Sequence, residues 1–192
     1  MDKWQIVLVG DSCVGKSALA DQFTLNCFVE EYNPTVDEDT SWKQWIVDDK
    51  HCVIQVIDIP SEAAYASLRD RCIQHSNGFF LVYSITSRTS FDRLEDLLQS
   101  VRQVKGENIG PFLLLGNKRD SSLLDRAVPT GEGEALARHF GCSFMEVSAR
   151  TASNVDRAFA DLVRLLRQNR LDAGAAVHQD QERSSRKKCV IL

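Results

Sequence analysis

Eight consecutive residues, Gly10-Asp11-Ser12-Cys13-Val14-Gly15-Lys16-Ser17, have the spacing G-x-x-x-x-G-K-S, a pattern whose chemistry is phosphate binding. In such a loop the backbone N–H groups from about residue 13 to Ala18, Val14 among them, turn inward and meet an anion at a helix N-terminus. Gly10 and Gly15 let the chain approach without a side chain in the way. Lys16 is expected to reach the β- and γ-phosphates of a nucleotide, and Ser17 to set its hydroxyl on Mg²⁺. Further candidates stand well downstream: Asp58, then Asn117-Lys118-Arg119-Asp120, then Ser148-Ala149-Arg150.

The elements around these residues have the pattern that would position them. An apolar run at residues 3–9 suits a buried strand, and residues 18–23 form a helix with Leu19 and Phe23 on one face, the strand–turn–helix context that the loop needs. Residues 42–47 and 52–58 read as an antiparallel hairpin about Asp48-Asp49-Lys50. Ile59-Pro60-Ser61 ends it, and a helix is expected over 66–73. Apolar strands follow at 78–83, 112–116 and 143–147. A helix with Phe91, Leu94, Leu97, Leu98, Val101 and Val104 on one face comes after the first of these, and a helix at 132–140 after the second. A last helix, capped by Ser153 or Asn154, turns Val155, Phe159, Leu162, Val163 and Leu166 inward. Alternating strands and helices imply an α/β fold with a mostly parallel, six-stranded sheet, one antiparallel hairpin edge, and helices on both faces. Ligands in such folds bind at the carboxyl ends of strands. Asp58, Asn117 and Ser148 all sit at or just after strand ends, so they are expected to converge on the phosphate loop.

Composition narrows the partners. A chain of 192 residues suits one domain plus a tail, and a net charge of −4 gives no general reason to expect nucleic acid. The six cysteines have no C-x-x-C spacing and the four histidines lie far apart, so reduced thiols and no zinc site are expected. No run is long and apolar enough for a membrane span, the first residues lack a secretory pattern, and Asp2 excludes N-myristoylation.

With these stations placed, the chain resembles a Ras-like small GTPase along nearly its whole length, and the resemblance implies a P-loop G domain over residues 1–170. It implies GTP and GDP as bound nucleotides, Mg²⁺ as cofactor, and hydrolysis of GTP to GDP and phosphate by a monomer. Asn117-Lys118-x-Asp120 matches the guanine-reading element, in which Asp120 would accept from guanine N1 and N2 while Asn117 ties loops together. Adenine offers no such donor pair and would leave the carboxylate unpaired. Ser148-Ala149-Arg150 matches the second base-contacting element, with the Ala149 N–H directed at guanine O6 and Arg where Lys is usual. Phe28 matches the aromatic that packs edge-on against the base. Tyr32-Asn33-Pro34-Thr35 resembles the first switch, where Thr35 would ligate Mg²⁺ and sense the γ-phosphate. The effector-binding stretch corresponds to Tyr32, Pro34, Thr35, Val36, Asp37, Glu38, Asp39 and Thr40, acidic in character but different enough that partner choice does not carry over from Ras. An exchange factor and an atypical activating protein are the other implied partners.

The second switch departs from its pattern, Asp-x-x-Gly-Gln, and reads Asp58-Ile59-Pro60-Ser61-Glu62. Asp58 keeps the role of holding a Mg²⁺-bound water. Ser61 replaces a glycine whose backbone reorients toward the γ-phosphate, and Pro60 stiffens the turn. Glu62 replaces the glutamine that orients the attacking water; an ionised carboxylate can only accept, where an amide accepts and donates. At ~5 Å and an effective dielectric near ~20, each pairing of its charge with a γ-phosphate charge costs roughly 3 kcal/mol. Ser12 and Cys13 stand where Ras has glycines, and a side chain at 12 crowds the path of an activating arginine. Slow hydrolysis is therefore expected, with Lys16, Thr35 and Glu62 as the candidate catalytic residues. The opposite view, that Glu62 is the stronger general base, carries less weight because this chemistry depends mainly on positioning and charge neutralisation. A non-hydrolysing GTP-binding recruitment module is the alternative. A small-molecule P-loop kinase is disfavoured by Asn117-Lys118-Arg119-Asp120 and Ser148-Ala149-Arg150. A Ran-like tail would be acidic, and a Rab-like one would end in two cysteines.

From residue 171 the apolar periodicity stops, and residues 171–192 read as a flexible basic tail. Cys189-Val190-Ile191-Leu192 is a C-a-a-X pattern whose final Leu favours a geranylgeranyl group on Cys189, followed by methylation. Arg183, Arg186, Lys187 and Lys188 supply the second anchoring signal toward an anionic leaflet. The expected location is the cytoplasmic face of a membrane, the plasma membrane first.

Overall fold

The computed structural model describes residues 1–30, 39–61, 65–106 and 108–188, with side chains of the last helix described through residue 175. Six strands form one sheet: β1 (Asp2–Gly10), β2 (Asp39–Val47), β3 (Lys50–Asp58), β4 (Gly78–Ser84), β5 (Phe112–Asn117) and β6 (Ser143–Glu146). Their order is β2-β3-β1-β4-β5-β6, every pair parallel except β2 with β3. The central strands carry nearly unbroken apolar runs because both faces are covered; every residue of β4 and β5 is buried. The β2–β3 hairpin closes through Asp48 and Asp49, both at positive φ (50° and 57°), the pair of left-handed residues that a two-residue turn between twisted strands requires.

The helices are α1 (Lys16–Leu25), α2 (Ala66–His75), α3 (Arg88–Asp92), α4 (Leu94–Lys105), α5 (Thr130–Phe140) and α6 (Val155–Lys188). α1 and α6 cover one face, where Phe23 stacks on Phe159 with centroids 3.7 Å apart and Phe80 meets Phe159 edge-on. α2 to α5 cover the other, over Val7, Val9, Phe79, Leu81 and Tyr83. The parallel crossovers bring the carboxyl ends of β1, β3, β5 and β6 to one edge, delivering Gly10, Asp58, Asn117 and the Ser148 loop side by side.

Two elements differ from the sequence reading. The single helix expected around Phe91 to Val104 is broken at Arg93, whose ψ of −4° interrupts it. The cause is local: the Ser84 N–H donates to Ser90 Oγ, and Ser90 Oγ donates to Ser87 O, which pins the short first turn to the end of β4. At the other end, α6 continues to Lys188 through the stretch read as a flexible tail from residue 171. Among the residues whose side chains are described, the last buried one of α6 is Leu166, and Leu171 is 68% exposed. Beyond that point the sequence has no proline to stop the helix, and its Ala, Gln, Arg and Lys residues favour it. Asn154 precedes α6, but its side chain donates to Glu146 O instead of capping the helix.

Candidate functional site

The phosphate loop runs from the end of β1 to the first turn of α1. Gly10 must be glycine, because a Cβ there would lie 2.4 Å from Val82 O on β4. Cys13 and Gly15 both have positive φ (61° and 90°), and such left-handed residues alternating along the loop turn successive N–H groups to one side, an anion nest at the start of α1. A Cβ on Gly15 would also meet Asn117 Nδ2 at 2.5 Å, so the loop is packed directly against the end of β5.

Lys16 is buried, and its ammonium donates to Gly10 O (3.2 Å), Asp11 O (2.9 Å) and Ser61 Oγ (2.5 Å). Ser61 Oγ in turn donates to Gly10 O at 3.0 Å. The loop after β3 thus touches the lysine of the G-x-x-x-x-G-K-S stretch through the Ser61 side chain. Ser17 Oγ donates to Asp58 Oδ2 at 2.5 Å, with Asp58 itself buried. Asp21, one turn further along α1, has its carboxyl pushed above the usual range by burial first and then by the negative charges of Asp39 and Asp58. A hydroxyl and a carboxylate in contact, with the acidic side chains of Asp21 and Asp39 nearby, are hard oxygen donors that fit Mg²⁺.

The base end is held by hydrogen bonds between loops. Asn117, 2% exposed, donates from Nδ2 to Val14 O (2.9 Å) and accepts from the Ala149 N–H at Oδ1 (3.2 Å). One amide therefore joins the phosphate loop, the end of β5 and the loop after β6. Ser148 Oγ donates to Asp120 Oδ1 at 2.6 Å and accepts from the Thr151 N–H. That bond fixes one carboxylate oxygen, while Asp120 Oδ2 makes no hydrogen bond among the described residues. Lys118 is at φ 69°, which swings the chain round after Asn117, and the Arg119 N–H donates to Val147 O. The Ala149 N–H, expected to face a guanine O6, is engaged by Asn117, so a base oxygen would share it. Phe28 is on the surface, and Arg150 pairs with Glu30 at 2.9 Å.

Of the candidate residues, the structure brings Gly10, Ser12, Cys13, Val14, Gly15, Lys16, Ser17, Ala18, Asp58, Ser61, Asn117, Lys118, Asp120, Ser148 and Ala149 to one edge of the sheet. Tyr32, Pro34, Thr35, Val36, Asp37, Glu38, Glu62 and Cys189 lie outside the described residues. Asp39 and Thr40 open β2, the strand at the sheet's edge.

Two pairs escaped the sequence reading. Arg93, at the break between α3 and α4, sets Nη1 2.9 Å from both carboxylate oxygens of Asp11, and Asp11 Oδ1 also accepts from the Ser12 N–H. The available signal was the acid itself, since a carboxylate inside an anion-binding loop calls for a cation. Nothing in the sequence points to residue 93 as its source. The Arg150–Glu30 pair is likewise invisible, because its partners are 120 residues apart.

A glycine-bracketed anion nest on the first strand, a Ser–Asp oxygen pair beside it, and an Asn117–Asp120 element tied to the nest define a P-loop G domain. The chain belongs to the Ras family, whose sequence profile matches residues 5–168. It is similar to Ras-like protein B of Aspergillus fumigatus, 40% identical across 94% of this chain and 84% of that protein. It is similar also to Ras-like protein 1 of Pyricularia oryzae (41% identical; 88% and 77% covered) and to protein ras-2 of Neurospora crassa (40%; 87% and 80%). Members of this family bind guanine nucleotide, generally with Mg²⁺, hydrolyse GTP to GDP, and act with effectors and exchange factors. The chain is accordingly a GTP-binding switch protein with GTPase chemistry.

Proposed function

We propose that this Ras-family switch reads guanine through Asp120 and Ala149, holds phosphates through residues 13–18 and Lys16, and turns GTP over slowly. The observation that carries the nucleotide reading is the Asn117 side chain, bonded at once to Val14 O and to the Ala149 N–H. It supports a cleft in which base and phosphate subsites are built as one unit. Ser17 and Asp58, with Thr35 from the first switch, would hold Mg²⁺, which when bound neutralises charge on the β- and γ-phosphate oxygens. Asp58 acts through a coordinated water in this reading, and Ser17 directly.

Slow hydrolysis is supported by Glu62 in place of the water-orienting glutamine, by Ser61 and Pro60 in the turn before it, and by side chains at Ser12 and Cys13. Single-turnover phosphate release from purified protein tests it. The expected rate lies below that of ordinary Ras proteins, and a rate at or above theirs overturns the reading. The double substitution Ser61→Gly with Glu62→Gln is expected to raise the rate. Complete absence of phosphate release would favour the non-hydrolysing recruitment module, which keeps the same binding residues.

Membrane attachment belongs to the same proposal: prenylation of Cys189, backed by Arg183, Arg186, Lys187 and Lys188, holding the protein at the cytoplasmic face of the plasma membrane. Among the described residues no helix is long and apolar enough to cross a membrane, so a lipid is the anchor this reading requires. Each basic residue near an anionic leaflet adds about 1 kcal/mol. Cell fractionation with Cys189→Ser should move the protein to the supernatant; unchanged membrane association sinks this part.

A further inference from the structure

An ammonium group has three N–H donors, and among the described residues that of Lys16 donates to Gly10 O, Asp11 O and Ser61 Oγ. Two are backbone carbonyls of the phosphate loop and stay wherever the loop stays. The third belongs to the second switch, and it is anchored, because the Ser61 hydroxyl donates a hydrogen bond to Gly10 O at 3.0 Å. The glycine of the family pattern has no side-chain hydroxyl to make either bond. Ser61 is therefore both acceptor for the lysine and donor to the loop, a two-bond bridge across the phosphate end of the cleft.

We propose that the Ser61 hydroxyl is a nucleotide-state selector that competes with the γ-phosphate for Lys16 and so biases this site toward the diphosphate. The proposal rests on reading the cleft as a guanine-nucleotide site and names a determinant within it. A lysine in this position serves both β- and γ-phosphates. With a diphosphate one phosphate oxygen takes over one donor, the long bond to Gly10 O at 3.2 Å giving way first, and the Ser61 bridge can persist beside it. With a triphosphate two phosphate oxygens converge on the same three donors, and the ammonium must release Ser61. Ser61 Oγ then also loses its place against Gly10 O, because both bonds hold the switch in one position. The triphosphate thus breaks two hydrogen bonds that the diphosphate leaves in place, and one of them is charge-assisted, the stronger kind.

Nucleotide-stripped full-length protein, titrated in Mg²⁺ buffer with fluorescent GDP and a fluorescent non-hydrolysable GTP analogue, reads this as an affinity ratio. Ser61→Ala is expected to raise the triphosphate:diphosphate ratio about tenfold, equivalent to about 1.4 kcal/mol. Ser61→Gly should raise it to a similar extent, and Ser61→Thr, which keeps the hydroxyl, should keep the wild-type ratio. A ratio within about twofold of wild type in Ser61→Ala overturns the proposal. So does a fall, which would make the hydroxyl a γ-phosphate ligand. A change seen only in Ser61→Gly overturns it as well, since backbone freedom would then be the cause. If the wild type binds neither nucleotide, the guanine reading fails and this inference with it. If it binds both and the ratio does not move, the selector alone fails.

Discussion

At the base end of the cleft, Asn117, Ser148 and Asp120 are tied by bonds that join three loops, and their residues follow the family pattern. At the phosphate end, the contacts run through a residue that departs from it, Ser61 on Lys16, and through a pair that the pattern does not specify, Asp11 with Arg93. Base recognition needs fixed donors and acceptors, and a departure there leaves a buried polar group without a partner. The phosphate end needs two arrangements of one switch, and a substitution there shifts the balance between them without dismantling the site. Binding and turnover can therefore diverge within a single cleft.

The largest expected effect comes where the two ends touch. Gly15→Ala adds a Cβ 2.5 Å from Asn117 Nδ2 at a residue whose φ is 90°. The clash displaces either the nest or the amide that organises the base loops. Guanine-nucleotide affinity should fall by about a thousandfold or more, the strain of a left-handed non-glycine residue adding about 1–2 kcal/mol to the clash. Equilibrium titration checks it, and a loss under about tenfold would mean that the two ends are not mechanically joined. Asn117→Ala comes next. It strands Val14 O and the Ala149 N–H, at about 1–3 kcal/mol for each buried group left unsatisfied. GDP and GTP affinities should drop together and the melting temperature with them. A drop confined to the triphosphate would break the comparison.

The same contrast explains what could be read beforehand. All six strands and the buried faces of α1, α4 and α6 were legible, because two-sided burial writes apolar runs and three-four spacing into the chain. The convergence of Gly10, Asp58, Asn117 and Ser148 followed from strand ends in an α/β fold. The break at Arg93 was not legible, since it depends on a serine reaching back to β4 rather than on helix propensity. Neither was the run of α6 to Lys188, because the apolar periodicity that marks a buried helix face stops near residue 171. Ser61 could be flagged as a missing glycine, but the bond from Lys16 to its hydroxyl needed coordinates. Side-chain partners such as Arg93 for Asp11 leave no periodic trace in a sequence.

The base end also has a pH signature. Burial alone would raise the Glu146 carboxyl, but hydrogen bonds from Arg126 and Thr130 and the Arg126 charge more than offset it, leaving it below the ordinary 4.5. Arg126 grips both carboxylate oxygens, at 2.7 and 2.9 Å, and Glu146 O receives the Asn154 side chain that shapes the Ser148 loop. A carboxylate with a depressed native pKa contributes stability that is present above its unfolded pKa and lost as pH falls through the native one. Glu146→Gln should thus lower stability by about 2 kcal/mol at neutral pH. The gap from wild type should close as pH falls below the ordinary 4.5. Melting curves from neutral to acidic pH measure it, and a gap that widens on acidification reverses the sign of the argument. Ser148→Ala is smaller still. It leaves Asp120 bound to no side chain of the neighbouring loop and should cost about 1 kcal/mol, the worth of one hydrogen bond. The loss should be greater for guanine nucleotides than for nucleotides whose base lacks the N2 amine.

The smallest effect belongs to Arg93, and it tests how far the phosphate end depends on charge. Arg93 is more than half exposed, so its pair with Asp11 is open to solvent and salt. Such pairs contribute about 0.2–1 kcal/mol. Their removal here has a second consequence, because Asp11 would face bound phosphates without its cation. Arg93→Ala should weaken nucleotide affinity by about two- to fivefold at low ionic strength, with little left at ~1 M salt, where the screening length is about 3 Å. Restoring neutrality with Asp11→Asn in the same chain should recover most of the loss. Titrations of wild type, Arg93→Ala and the double variant at two salt concentrations read all of this. If Arg93→Ala loses as much at high salt as at low, the guanidinium acts by bracing the loop from the α3–α4 break rather than by neutralising Asp11. The phosphate end would then be as mechanically built as the base end.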